Sequence, residues 1–372
     1  MKKRVAVLGA TGSIGKSALD VIAHAKDSFE PVLLSAHHDR EGLEKAGRDW
    51  PGAALVLSGG SGGRDNLLAA IARSQADITV NGIAGAAGLE PSMAVIESGS
   101  ALALANKETL VMAGPLVFRK AAEKNAGIIP VDSEHSAVFH LIEAHCARQE
   151  NALDEIILTA SGGPFRNCSL EEMQNVTPEA ALAHPTWNMG KKITIDSASM
   201  ATKGLEVIEA ARLFNVPPGK IKVVIHPQSI VHSMIRMRDG AVYAQLSKPD
   251  MRLPIHEALY WPQITPSRFG QLNFDSLRLD FEKPCMARFP MLALACRAAE
   301  QGGQYPCAYN GANEIAVEAF LLKRIGFLDI ARITGYVLER DWNTEAQDIA
   351  EVLEADTQAR ALAENYIATK FS

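Results

Sequence analysis

Asp132, Ser133 and Glu134 follow the apolar run GIIPV and precede the helical-looking stretch HSAVFHLIEAH. Two carboxylates this close repel each other, and either is costly to desolvate without a partner. Two readings are open. One is a helix cap in solvent, for which a single such residue suffices. The other is a set of hard oxygens for Mg²⁺ or Mn²⁺. After an earlier apolar run, Ala105-Asn106-Lys107-Glu108 adds an amide, an ammonium and another carboxylate. Further on, Thr202, Lys203 and Glu206 are spaced to share one helix face. They read either as a surface ion pair or as a hydroxyl and a cation for a phosphate, beside a third carboxylate.

A different chemistry is written near the N-terminus. Gly9, Gly12 and Gly15 in VAVLGATGSIGKSALDVI have GxxGxxG spacing between an apolar run and an amphipathic one. Glycines there permit the tight turn, the approach of backbone to a diphosphate and close helix–sheet packing. The diphosphate would sit on a helix N-terminus, where unused N–H groups attract anions. The spacing therefore predicts dinucleotide binding. The second apolar run ends His37-His38-Asp39-Arg40, where NAD-binding chains usually place a lone carboxylate. Two imidazoles and a guanidinium favour a 2′-phosphate, hence NADP, whereas Asp39 pulls the other way.

These residues need elements to hold them. Residues 1–132 alternate short apolar runs (4–9, 31–36, 54–57, 77–82, 100–105, 127–132) with amphipathic stretches such as 17–25 and 116–125. That alternation predicts a doubly wound, Rossmann-like α/β sheet of parallel strands buried on both faces. From 133 to 260 the pattern predicts an α+β domain with a mixed sheet. Its strands are expected at 154–161, 191–197, 220–227, 229–237 and 241–247, the last three joined by turn-length gaps and so antiparallel. Its helices are expected at 135–147, 169–175 and 200–214. Residues 261–286 hold three prolines and read as a linker. Residues 287–372 repeat with a helical period and predict a small C-terminal bundle. The glycine-rich LSGGSGGRDN (57–66) lacks the Lys-Ser/Thr ending of a P-loop and reads as a surface loop.

Composition narrows the function. A chain of 372 residues calls for more than one core. A net charge of −6 gives no support for nucleic-acid binding. The five cysteines include no CxxC, a pattern of reduced thiols that points to a cytoplasmic protein. The N-terminal MKKR and VAVLGA imitate a signal peptide, but the run breaks at Thr11-Gly12-Ser13 and is followed by Lys16 and Asp20. No apolar stretch approaches the ~20 residues of a membrane span.

Taken together, GATGSIG, ANKE, VDSEHSA, TASGGPFR, HPTWNMG, DSASMATKGLE, IHPQSIVHSM and ALYWP resemble, in order, the 1-deoxy-D-xylulose 5-phosphate reductoisomerase family of non-mevalonate isoprenoid synthesis. The resemblance runs over nearly the whole chain. It implies divalent-metal ligands at Asp132, Glu134 and Glu206, with Mg²⁺ or Mn²⁺ bound and Co²⁺ as a third candidate. It implies substrate contacts at Ser133, Glu134, Ser161, His184, Ser197, Lys203 and Glu206, the phosphate lying near Ser161, Ser197 and Lys203. Lys107 matches a substrate-side lysine. Thr11, Gly12, Ser13, Ile14, Asn106, Glu108 and Gly190 match NADPH contacts. His184 to Met189 match a mobile flap in which Trp187 covers the substrate. The implied reaction rearranges the sugar phosphate to a branched aldehyde, which NADPH reduces to 2-C-methyl-D-erythritol 4-phosphate. A homodimer is implied as well.

Two positions depart from the family's pattern. Thr202 stands where an asparagine is usual, which bears on substrate affinity. His37-His38-Asp39 replaces a Gly-Lys/Arg/Ser-Asn sequence, which bears on NADPH selectivity. Two other classes share parts of this reading. An aldehyde dehydrogenase working through a thioester would need a nucleophilic cysteine, and none of the five sits at a strand–helix junction with a partner histidine. A nucleotide sensor would keep GATGSIG without needing three carboxylates.

Overall fold

Val5, Val7, Leu8, Leu33, Leu34, Val80, Leu102 and Ala103 are all completely buried, as strands covered on both faces must be. They belong to a six-stranded parallel sheet in the computed structural model, which describes residues 1–146, 152–183 and 189–371. Its strands are β1 (Lys3–Leu8), β2 (Phe29–Ala36), β3 (Ala54–Leu57), β4 (Ile78–Asn81), β5 (Ala101–Leu104) and β6 (Ile128–Pro130). They lie in the order β3-β2-β1-β4-β5-β6, with every pairing parallel. This is the Rossmann order, whose direction reverses between β1 and β4. The expected strands are all present. Pro130 is tolerated because β6 is an edge strand.

A second sheet contains β7 (Leu153–Ala160), β8 (Ile221–Ile225), β9 (Val231–Met237) and β10 (Val242–Leu246), in the order β10-β9-β7-β8. β9 and β10 form the expected antiparallel pair. The expected pairing of β8 with β9 is not found: β8 runs parallel to β7, and β9 lies on β7's other side. The short link between β8 and β9 passes the end of β7 instead of forming a hairpin. His226 holds that link, donating from its backbone to Ala160 O and accepting at Nε2 from the Ile230 and Val231 N–H groups.

Residues 191–197 are also corrected. They form the helix Lys191–Ala198, not a strand. KKITIDS alternates like a strand, but Thr194, Ile195 and Asp196 are buried in succession, which a one-sided strand does not allow. Thr194 Oγ1 donates back to Gly190 O at 2.9 Å, the local bond that β-hydroxyl residues make inside helices. The other expected helices appear as Ser133–Cys146, Leu170–Met173 and Ala201–Leu213.

The chain forms two compact units. The first comprises Met1–Thr109, Val117–Ser136 and Asp250–Gln271, and the second Leu110–Leu116, Ala137–Pro249 and Leu272–Ser372. Within the first, the helix Arg252–Tyr260 is tied to the Rossmann sheet's surroundings by Arg252–Asp20 at 2.9 Å, Tyr260 Oη to Ser28 Oγ at 3.1 Å and Lys3 Nζ to Leu259 O at 2.8 Å. Within the second, the helix Ala201–Leu213 lies against Pro290–Gln301 at Gly204, where a Cβ would come within 2.5 Å of Ala295 Cβ. Residues 261–286 carry no helix or strand, although Glu282 exchanges both backbone bonds with Ile225. The helices Tyr305–Leu321, Asp329–Val337 and Ile349–Lys370 complete the second unit.

One long helix, Lys107–Lys124, is kinked at Ala113, two residues before Pro115. Proline has no N–H for the carbonyl of residue 111. Arg212 supplies what is missing, with Nη1 donating to Leu110 O at 2.6 Å and Val111 O at 2.7 Å. Gly114 makes room for that side chain, since a Cβ there would lie 2.5 Å from Arg212 Cδ.

Candidate active site

The glycine loop links β1 to the helix Ser13–Ala23. Gly9 has φ +78, and a Cβ on it would meet Gly82 O at 3.0 Å. At Gly15 a Cβ would lie 2.2 Å from Gly9 O, so no other residue lets helix and turn approach this closely. Gly12 is the N-cap and brings no side chain to the helix end. The first bond of the helix is Lys16 N–H to Gly12 O at 2.9 Å. The N–H groups of Ser13, Ile14 and Gly15 are therefore unused within the helix and face where a diphosphate binds. Thr11, Gly12, Ser13 and Ile14 all sit in this turn, and Gly12 and Ser13 are exposed. The residues fit a dinucleotide.

At the end of β2 the structure separates Asp39 from the two histidines. Asp39 caps the helix Arg40–Gly47, accepting from Gly42 N–H at 2.9 Å. That bond gives its carboxylate a structural task. His37 and His38 are exposed, with ring centroids 3.9 Å apart. His37 Nδ1 is 3.2 Å from Ser58 Oγ, and Gly59 N–H donates to His37 O at 2.9 Å. The glycine-rich stretch after β3, read from sequence as a surface loop, thus lies beside both imidazoles. Replacing His37 and His38 together by alanine is expected to lower the NADPH-over-NADH preference by about tenfold, the worth of one hydrogen bond to a charged group. Kd values for NADPH and NADH in wild type and double mutant check this.

At the ends of β5 and β6 the carboxylates of the first unit meet their partners. Ala105 N–H donates to Asn81 O and Val131 N–H to Leu104 O, so the ANKE and VDSEH motifs leave neighbouring strands side by side. Lys107 opens the helix Lys107–Lys124, and its Nζ is 2.6 Å from Asp132 Oδ2. Asp132 stands at the start of the helix Ser133–Cys146, where its carbonyl accepts from Ser136 N–H at 2.8 Å. Ser133 Oγ donates to Glu134 Oε2 at 2.6 Å. Two carboxylates, a hydroxyl and an ammonium are thus collected at one strand edge. This all-oxygen carboxylate chemistry fits a hard dication such as Mg²⁺.

Asn106 and Glu108 are buried beside them. Asn106 Nδ2 donates to Ile83 O, Gly85 O and Glu108 Oε2 at 2.8–2.9 Å, and its Oδ1 accepts from Thr109 N–H and Oγ1. The amide's capacity is taken up by these bonds. Asn106 holds the loop after β4 and caps the helix Lys107–Lys124.

The second unit carries a hydroxyl-and-ammonium set. Ser161 follows β7 and is succeeded by Gly162 and Gly163, with φ +82 and +67. A Cβ on Gly163 would lie 2.8 Å from Ser197 O. Glycine there lets Ser161's loop rest on the last turn of the helix Lys191–Ala198, at Ser197. Gly190 is the exposed N-cap of that helix. Thr202 Oγ1 lies 3.5 Å from Ile193 O, a long contact. Lys203 and Glu206, both almost fully buried on the helix Ala201–Leu213, pair at 2.5 Å. His184 and Trp187 lie outside the described residues.

No local motif in the sequence points to Ser58 or Gly163. Their partners are 21 and 34 residues away. The sequence places Asp196 at the end of an expected strand, and the structure places it in a helix.

A Rossmann sheet with a glycine turn at its switch point and a carboxylate pair at the same edge defines a dinucleotide-dependent enzyme that also uses a hard cation. Family models described as 1-deoxy-D-xylulose 5-phosphate reductoisomerase match residues 5–60 and 53–114, those of its C-terminal domain match 128–214, and a further DXP reductoisomerase C-terminal domain matches 246–362. The enzyme of that name from Treponema denticola is 47% identical over 370 residues, covering 97% of this chain and 96% of its own. That of Treponema pallidum is 45% identical, covering 99% and 98%. Among solved structures, the Zymomonas mobilis reductoisomerase in complex with NADPH is 40% identical with a TM-score of 0.89, covering 99% of both chains. A DOX-P reductoisomerase in complex with NADPH, fosmidomycin and magnesium is 35% identical with a TM-score of 0.90, covering 98% of both. The chain belongs to the 1-deoxy-D-xylulose 5-phosphate reductoisomerase family.

Proposed function

We propose that Asp132, Glu134 and Glu206 hold the divalent cation and that Ser161, Ser197 and Lys203 hold the phosphate of the substrate. The activity is the NADPH- and metal-dependent isomerisation and reduction of 1-deoxy-D-xylulose 5-phosphate to 2-C-methyl-D-erythritol 4-phosphate. The observation that carries the residue assignment is the Lys107–Asp132 pair beside Ser133–Glu134 at the edge where α/β sheets bind ligands. When bound, the cation polarises the substrate's oxygens and NADPH supplies the hydride. Mn²⁺ and Co²⁺ suit the same oxygen donors.

The chain's own residues do the rest. Lys107 Nζ, bonded to Asp132, keeps positive charge where an oxyanion develops. Ser133 orients Glu134 through their bond. Lys203, Ser161 and Ser197 grip the phosphate away from the reacting carbons, so binding energy there serves orientation. His184 and Trp187 belong to the substrate side. Glu108, with Thr11 to Ile14, His37, His38 and Gly190, serves the nucleotide. Isotope-resolved NMR of the product from 1-deoxy-D-xylulose 5-phosphate and NADPH tests the activity: the branched polyol phosphate is expected, and an unbranched product would overturn the rearrangement.

The enzyme works in the cytoplasm as a homodimer. All five cysteines are free thiols, in keeping with a reducing compartment. Among the described residues, no helix is long and apolar enough to cross a membrane. β10 ends the second sheet and exposes Val242 and Tyr243, and an apolar edge strand of this kind calls for a covering partner.

Thr202 offers one hydroxyl on a short branched stem where asparagine would offer two N–H donors. Thr202→Asn is expected to lower KM for the sugar phosphate several-fold with a smaller change in kcat. Unchanged or higher KM would show that the pocket has adapted to threonine.

A further inference from the structure

Asp196 sits one residue before Ser197 and is only 2% exposed. Its Oδ2 lies 2.9 Å from Lys192 Nζ, one turn back on the same helix. Its Oδ1 accepts from Asn313 Nδ2 at 2.8 Å, on the helix Tyr305–Leu321. The next residue, Glu314, accepts from Asn310 Nδ2 at 3.2 Å and from Arg360 Nη2 at 2.5 Å, and lies 3.9 Å from Lys192 Nζ. A run of polar contacts thus leads from the C-terminal helix Ile349–Lys370, through Tyr305–Leu321, to the helix Lys191–Ala198.

This network is expensive. Asn310 and Asn313 are fully buried among Ala308, Tyr309, Ala312 and Ala316, and the Oδ1 of each has no protein partner among the described residues. Buried polar groups left unsatisfied destabilise a fold, and apolar residues of the same shape would avoid the loss. Packing alone does not call for asparagine here. What asparagine adds is direction: its amide can meet Asp196 at only one rotation of the helix Lys191–Ala198.

We propose that Asn313 and Glu314 are positioning residues that lock this helix so that Ser197 presents its hydroxyl to the substrate phosphate. Resting on the reading of Ser197 as a phosphate contact, the inference extends it to helices of the C-terminal bundle. The same lock places Ser161, because Gly163 rests on Ser197 O. Lys192 and Asp196, one turn apart on one face, take the hold from both Asn313 and Glu314.

A double-mutant cycle on the full-length enzyme tests it. Asn313→Leu is expected to raise KM for 1-deoxy-D-xylulose 5-phosphate about 5- to 20-fold, as coupled neighbours do. NADPH Kd should stay the same, and urea stability should fall modestly, because Asp196 Oδ1 loses its partner in a buried site. Ser197→Ala should raise KM as well, and adding Asn313→Leu to it should cost little more. Asn313→Ala serves the same cycle if the leucine variant fails to fold. Unchanged KM in Asn313→Leu beside a raised KM in Ser197→Ala overturns the lock and leaves the phosphate reading standing. Additive effects, or a loss of stability with KM and NADPH Kd shifting together, show a merely structural role and overturn it too. Unchanged KM in Ser197→Ala removes the phosphate reading and the lock with it.

Discussion

Glu206→Gln is expected to lower turnover roughly 10³-fold, because losing a cation ligand removes about 4 kcal/mol of transition-state charge stabilisation. Glutamine keeps the shape and one acceptor for Lys203, which pairs with Glu206 at 2.5 Å. The helix Ala201–Leu213 should therefore stay folded. NADPH binding should also be preserved, since the glycine turn and His37-His38 lie in the other unit. Steady-state turnover over a Mg²⁺ titration, with NADPH Kd measured by fluorescence, checks both halves. Turnover like that of wild type at limiting Mg²⁺ would remove Glu206 from the cation's ligands.

Lys203→Met should act on the other end of the substrate. A charge-assisted bond to phosphate is worth about 1.5–3 kcal/mol, so KM for the sugar phosphate is expected to rise ~10- to 10²-fold. The substitution also takes the ammonium away from Glu206 at a site only 4% exposed. Breaking a buried pair by removing one partner is destabilising, and urea unfolding should show a loss. With Mg²⁺ at saturation part of that loss should return, since a dication neutralises Glu206 as the lysine did. An unchanged KM would take Lys203 out of the phosphate site.

The Rossmann half was legible because its physics is local. Strands buried on both faces read as unbroken apolar runs, and Gly9 and Gly15 mark a turn that has no room for a Cβ at either position. The second sheet was less legible. The gap between β8 and β9 has hairpin length, yet its path is set by His226 and by pairing with β7, which precedes β8 by some sixty residues. KKITIDS alternates like a strand, but the fold buries Thr194, Ile195 and Asp196 in succession, with Asp196 against Asn313 117 residues on, and that burial suits a helix.

The site was legible in its chemical types more than in its contacts. Asp132, Glu134 and Lys107 stood out as motif residues, but the 2.6 Å bond between Lys107 and Asp132 is a consequence of β5 and β6 being neighbours. Asp39 reads as a signal for NAD in the sequence, whereas the fold gives its carboxylate the capping of the helix Arg40–Gly47. A short-range pattern reveals what a side chain can do, and the tertiary fold decides which of those tasks remains open to it.

NADPH consumption in the presence of 1-deoxy-D-xylulose 5-phosphate, with and without EDTA, tests the assigned activity most directly. Absorbance should fall with substrate and Mg²⁺, stop when EDTA is added, and resume when Mg²⁺ is restored in excess. NADPH oxidation that continues undiminished in EDTA, or that never depends on the sugar phosphate, would contradict it.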